Sequence, residues 1–317
     1  MIFMEKTVEI AKKIIDEQVK MGFINQNSEF LRANKTYPWT NEDVGRYLRF
    51  VDFKGMDSGL TVLASGDQAF NLIKCGIMNI DTFDINPLSE YYALGLRRAM
   101  ILKYDFKTFN NIIDLFYNPW CGIDMIHNLI RGLFPYMECE HKMFWKTILD
   151  YDYKLQKDSG TRLNTILLLV LNVNLEKIGI SNYLSNEENY NLIRERLSNA
   201  NITFKNVNAL DLANVYKGKK YDIIVLSNIL DYFHEFLGEN WPYKELKKYR
   251  ESLETLGKKD AYIFLHYIIC FMRNGEMYRN SFINKADILI DDLECEEIKM
   301  LSYNAFIDNG VILSRVK

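Results

Sequence analysis

Gly66, Asp67 and Asp84 are the residues whose types and spacing point most directly to chemistry. Ser65-Gly66-Asp67 is a tight-turn signal between a short apolar run, Thr61-Val62-Leu63-Ala64, and a helical pattern from Gln68 to Cys75 that Gly76 can close. A second strand pattern, Asn79 to Phe83, stops at Asp84, 18 positions after Gly66. Nucleotide-binding α/β sheets place an acid about 20 residues after the turn, where its carboxylate accepts hydrogen bonds from ribose hydroxyls. The bland alternative is a βαβ unit whose turn needs a glycine for its backbone alone.

The turn discriminates between nucleotides. A dinucleotide pyrophosphate calls for two or three glycines, so that backbone N–H groups can close on the phosphates. Here one glycine is followed by Asp67, whose charge repels phosphate. A cofactor with no phosphate and a cationic ammonium suits this loop better, and S-adenosylmethionine (SAM) is such a molecule. The expected contacts are Ser65, Gly66 and Asp67 around its amino-acid tail, with Asp84 on the ribose diol and Asn86 beside it. Asn208 and Ala209, on the loop after a later strand, are candidates for the adenine. Ser227 and Asn228 end the central strand Tyr221 to Leu226. Just beyond lie Asp231, Tyr232 and His234, candidates for the base of a transfer reaction; an imidazole has a suitable pKa. Helix-start roles compete for the same three residues.

Around these residues the pattern is that of a doubly wound sheet. An amphipathic helix from Glu5 to Gly22 opens the chain, and Thr40 or Asn41 can cap a helix through Val44, Tyr47, Leu48 and Phe50. Residues 1–50 read as a helical lid, with Tyr37 and Trp39 poised over the cofactor or packed on the sheet. Residues 51–103 and 201–317 read as the Rossmann-like SAM-binding domain. A helix is expected from Ser89 to Lys103, and residues 104–200 form a mostly helical insertion: Phe106–Tyr117, Gly122–Leu133, Glu140–Tyr151 and Asn186–Leu197. The run Thr165–Val173 fits helix or strand. The insertion's aromatics, among them Phe109, Phe144 and Trp145, suit either an apolar acceptor pocket or the insertion's own core. Strands are expected at Ile202–Val207, Tyr221–Leu226 and Ala261–Ile269. A closing antiparallel hairpin, Glu297–Phe306 with Val311–Arg315, is expected to turn at Asp308-Asn309-Gly310. The fold class is therefore α/β, a Rossmann-like methyltransferase-type sheet with a helical insertion after the second strand and a C-terminal hairpin.

Composition bounds the partners. With 317 residues, 48% of them hydrophobic, the chain can bury a substantial core. A net charge of −3 with no basic block gives no reason to expect nucleic acid. No run approaches the roughly 20 apolar residues that span a bilayer, and no leader pattern stands out, so a cytoplasmic protein is expected. The expected partner is a small-molecule or lipid acceptor, and peripheral membrane contact is compatible with it. The five cysteines are scattered without a CxxC. The set Cys121, His127, Cys139 and His141 matches no zinc spacing, so no metal is expected.

Several segments carry a resemblance: Tyr37–Asp43 (YPWTNED), Ala64–Gln68, Phe83–Pro87, Phe109–Phe116 and Leu226–Tyr232. Through them the chain resembles a family of uncharacterised bacterial proteins related to the betaine-lipid SAM:diacylglycerol 3-amino-3-carboxypropyltransferases. The resemblance implies a SAM-binding Rossmann-like domain. The function expected is transfer of the aminocarboxypropyl group of SAM. Methyl transfer from the same site is the alternative, and a non-catalytic SAM-binding protein is the reading from a different class.

Overall fold

Five strands pair in parallel in the order β3-β2-β1-β4-β5: β1 Ser58–Val62, β2 Asn79–Asp84, β3 Asn201–Asn206, β4 Tyr221–Val225 and β5 Gly257–Arg273. In this computed structural model the described residues are 2–22, 36, 39–40, 42–116, 123–159, 182–227, 229, 243–273, 276–279, 296–300 and 307–316. Chain order reverses between β1 and β4, the topological switch point of an open α/β sheet, so the carboxyl ends of these two strands border the crevice where such sheets bind ligands. The architecture is Rossmann-like α/β.

The inner strands are largely apolar, as parallel strands covered on both sides must be. Leu60, Phe83, Ile223, Ile224 and Ile263 are buried. The buried polar residue of β1, Thr61, is satisfied by donating its hydroxyl to the Val225 carbonyl at 2.8 Å. At the opposite, amino-terminal edge Asp222 gathers three elements: its carboxylate accepts from the backbone N–H groups of Asp57 and Ser58, each at 3.0 Å, and from Lys258 at 2.8 Å.

Beyond β5 the sheet turns antiparallel. β8 (Ile307–Arg315) pairs with β5, and β7 (Glu296–Met300) pairs with β8; β6 (Glu276–Arg279) pairs with β5 off this path. The closing hairpin is present, but Asp308-Asn309-Gly310 is not its turn. These residues lie inside β8, where Gly310 is in register with Tyr267 on one side and Lys299 on the other. Pairing with two neighbours holds this turn-type tripeptide extended.

The chain divides into two compact units. The sheet unit is Glu42–Val62, Asn71–Ile85 and Ala200–Lys317; the helical unit is Met1–Asn41, Leu63–Phe70 and Asn86–Asn199. In the helical unit, the N-terminal helix Ile2–Gly22 packs on the long helix Cys139–Ser159. Phe109, Phe144 and Trp145 are fully enclosed: Tyr91 stacks on Phe144 with centroids 3.9 Å apart, and the Trp145 indole donates to the Tyr91 carbonyl at 2.9 Å. These three aromatics are core, not the lining of an open pocket. His127 bonds Asp152 at 3.1 Å and His141 lies 3.7 Å from Glu90.

Three boundaries differ from expectation. β1 stops at Val62, and Leu63 and Ala64 belong to the turn, where the Gly66 N–H donates to the Leu63 carbonyl at 2.6 Å. Asp43, rather than Thr40 or Asn41, caps the helix Val44–Tyr47 by accepting from the Arg46 N–H. The segment after Pro87 is wound as a π-helix over Glu90–Arg97 before becoming α-helical over Arg98–Lys103. The run Thr165–Val173 lies outside the described residues.

Candidate functional site

The sheet unit presents its candidate site at the carboxyl edge. Asp84 is the last residue of β2 and is half-buried. Its backbone carbonyl accepts from the Val207 N–H at 3.0 Å and from the Asn206 amide at 2.9 Å, which ties the tips of β2 and β3 together. The next residue, Ile85, is 55% exposed. Asn208 uses its side-chain oxygen to accept from the Leu210 N–H, fixing the short turn Ala209–Asp211, and Ala209 is buried in the sheet's core.

Two residues beyond β4, Ser227 adopts a positive φ of 23°, in the region that costs a non-glycine residue about 1–3 kcal/mol. Its hydroxyl donates to Glu42, whose carboxylate is wholly enclosed. The Tyr47 hydroxyl reaches the other carboxylate oxygen at 3.5 Å; burial, then the Glu42 charge, push Tyr47 well above the ordinary tyrosine range. His266, on β5, brings its Nδ1 within 3.5 Å of the same Glu42 oxygen that Ser227 holds. That distance permits attraction but the alignment is not that of a hydrogen bond, and among the described residues neither His266 ring nitrogen has a hydrogen-bond partner. Burial lowers the His266 pKa, against the opposing pull of Glu42. The result is a buried imidazole, neutral at pH 7, at the carboxyl end of the sheet.

The helical unit holds the turn itself. Asp67 opens the helix Asp67–Lys74, where a carboxylate complements the helix dipole. Its Oδ1 accepts from Arg97 Nη2 at 3.0 Å and from the Tyr183 hydroxyl at 2.8 Å. Its Oδ2 accepts from Ser65 Oγ at 2.6 Å, from the Thr40 N–H at 2.7 Å and from Arg97 Nη1 at 3.1 Å. Burial by itself would raise the Asp67 pKa; the Arg97 charge and the bonds from Ser65, Arg97 and Thr40 outweigh it and hold the carboxyl below its ordinary value. The expected repulsion of phosphate by Asp67 therefore has no basis, because Arg97 compensates the charge. Gly66 has φ +91°, and a Cβ there would lie 2.8 Å from the Phe70 ring and 3.0 Å from Ala93. Packing within the protein accounts for this glycine. Asn86 spends its side-chain oxygen on the Leu88 N–H at 3.0 Å, starting the next helix.

Of the expected site residues, the structure brings Asp84, Asn208, Ala209 and Ser227 to one edge of the sheet unit, and commits Ser65, Asp67 and Asn86 to bonds in the helical unit. Asn228, Asp231, Tyr232 and His234 lie outside the described residues, as does Tyr37. Sequence reading passed over Glu42, Ile85, Arg97 and His266. His266 left a signal, an ionisable residue in the middle of an apolar strand. Arg97 left none, since a charged residue on a helix ordinarily faces water.

No family model and no curated protein matches the sequence. Solved structures that show some similarity include the N-methyltransferase NodS from Bradyrhizobium japonicum WM9 in complex with S-adenosyl-L-homocysteine, at 11% identity and TM-score 0.41, covering 97% of this chain and 98% of that one. The rRNA methyltransferase aviRa from Streptomyces viridochromogenes gives 11% identity and TM-score 0.39 over 90% and 89%. Magnesium protoporphyrin IX methyltransferase (ChlM) from Synechocystis PCC 6803 with bound SAM gives 10% and 0.37 over 86% and 76%. Values this low assign no residue role to this chain.

Proposed function

We propose that this chain is a SAM-dependent transferase that moves the 3-amino-3-carboxypropyl group to a small-molecule or lipid acceptor. The observation that carries the reading is Asp84 at the tip of β2, next to the switch-point strand β1, with the exposed Ile85 beside it. A half-buried carboxylate can accept both hydroxyls of a ribose, and an exposed aliphatic face beside it can cover a purine. Nothing in the described residues of this edge demands a phosphate. Asp84 would hold the ribose, Ile85 and the Asn208–Ala209 turn would flank the base, and Ser227 would stand at the end of the central strand. When bound, SAM supplies a sulfonium with two electrophilic carbons, the methyl and the aminocarboxypropyl γ-carbon; orientation decides which reacts. The resemblance in YPWTNED and FDIN is what favours the γ-carbon, the SGDQ turn departs from the glycine-richer loop of the lipid-making enzymes, and methyl transfer uses the same grip. A lipid acceptor would come from a membrane surface, since among the described residues no helix is long and apolar enough to cross one.

The test is calorimetric titration with SAM, with NADH as control, followed by incubation of the protein with SAM and cell extract. Release of 5′-methylthioadenosine identifies aminocarboxypropyl transfer, and S-adenosylhomocysteine identifies methyl transfer. Absence of SAM binding sinks the proposal.

A further inference from the structure

We infer that His266 is the proton acceptor of the transfer, with Glu42 as its positioning residue; the inference rests on the SAM-transferase reading above. Four observations converge on this imidazole. It is only 1% exposed, yet among the described residues neither ring nitrogen has a hydrogen-bond partner. A buried polar group left unpaired is destabilising, so a histidine kept in this setting, where a phenylalanine or leucine would pack without that cost, asks for a reason. Its place supplies one. His266 follows Phe264, which is in register with Val225, the last residue of β4, so the imidazole stands past the end of the central strand on the ligand-binding edge. Glu42 supplies the third observation: its Oε1, anchored by Ser227, lies 3.5 Å from Nδ1 and attracts a proton on that nitrogen. Nε2 is then the nitrogen with a free lone pair. Fourth, burial keeps the ring neutral, the form a base needs.

The step is a single proton movement. The acceptor's nucleophilic atom would use a lone pair to make its new bond to the electrophilic carbon while that carbon's bond to the SAM sulfur breaks, the bonding pair leaving with the sulfur as a neutral thioether. The pair of its broken N–H, O–H or S–H bond stays with that atom, and the proton passes to Nε2. The imidazolium that results faces the Glu42 carboxylate, which offsets the charge where water is excluded. Because the ring is enclosed, the acceptor atom must enter the protein at the strand ends. This favours a slender nucleophile, such as a primary amine, hydroxyl or thiol on an extended chain, over a bulky aromatic one.

The roles are separable by experiment. The chain has four histidines, so the His266 signals in a ¹⁵N imidazole spectrum can be assigned by comparison with His266→Gln. At pH 7 the wild-type protein should show the proton on Nδ1 and a bare Nε2, and Glu42→Gln should redistribute the tautomers. A proton resident on Nε2 overturns the inference, whatever the activity. With SAM and cell extract, His266→Gln should form product about 10²–10⁴-fold more slowly while binding SAM within about twofold of wild type. Full turnover by His266→Gln also overturns it. Failure of the wild-type protein to bind SAM is a different result: it removes the transferase reading itself.

Discussion

Asp67 and Arg97 face each other in a two-point contact, Oδ1 to Nη2 at 3.0 Å and Oδ2 to Nη1 at 3.1 Å, with both side chains shut away from water. The contact fixes the turn after β1 from within the helical unit, and it inverts the expectation that Asp67 is a free charge. Burying two charges is costly, and this pair is retained with Ser65, Thr40 and Tyr183 completing the carboxylate's bonds.

Replacing Arg97 by methionine should therefore cost about 3–5 kcal/mol, because Asp67 is left buried without its counter-charge. Urea unfolding at pH 7 reads this directly. The double variant Asp67→Leu/Arg97→Met should be distinctly more stable than Arg97→Met alone. A double variant no better than the single one would show that the pair is not the source of the loss.

Gly66→Ala should destabilise the protein before it affects any ligand. The new methyl would meet the Phe70 ring at 2.8 Å in a backbone region that L-residues avoid, and a loss of about 1–3 kcal/mol is expected in a denaturant titration. An unchanged midpoint would mean that the turn relaxes more readily than its packing implies.

Asp84→Ala should weaken SAM binding at least tenfold. Each charge-assisted hydrogen bond to ribose is worth about 1.5–3 kcal/mol. Titration calorimetry decides, and equal affinity in the variant removes Asp84 from the ribose site.

Acid should loosen the amino-terminal edge through Asp222. Burial alone would raise this carboxyl, but the bonds from Lys258, Asp57 and Ser58 hold it at about 2. A folded-state pKa below the unfolded value of about 3.9 stabilises the native state fully at pH above that value, and the contribution fades as pH falls through about 2. Asp222→Asn should be less stable than wild type at pH 7, and the gap should narrow as pH drops from 5 to 2. A gap that is constant with pH would assign the effect to packing instead.

The parallel sheet was readable because its strands are short apolar runs bounded by turn residues, and the Gly76 signal was sound. That glycine, at φ +105°, donates to the Ile73 carbonyl while Ile77 reaches back to Leu72, a Schellman closure of the helix. Asp84 could be placed at a strand tip from spacing alone. What escaped depends on tertiary partners. The burial of Arg97 goes with its side-chain bonds to Asp67 and Tyr183, which are distant in sequence. Asp308-Asn309-Gly310 has the composition of a turn, and pairing with β5 and β7 overrides it. Glu42 and His266 are separated by 224 positions (266 − 42), and no local pattern joins them.

The position of β8 bears on how the protein is made. β8 follows β7 in the chain but lies between β7 and β5, so β7 has no place in the sheet until β8 is inserted. On the ribosome, a nascent chain that has emerged only as far as β7 exposes a long bare flank of β5. An uncovered strand edge of that kind invites pairing with other chains. The finished sheet is sealed from the inside outward, and a stalled or clipped product lacking β8 would be handed to chaperones or lost to aggregation.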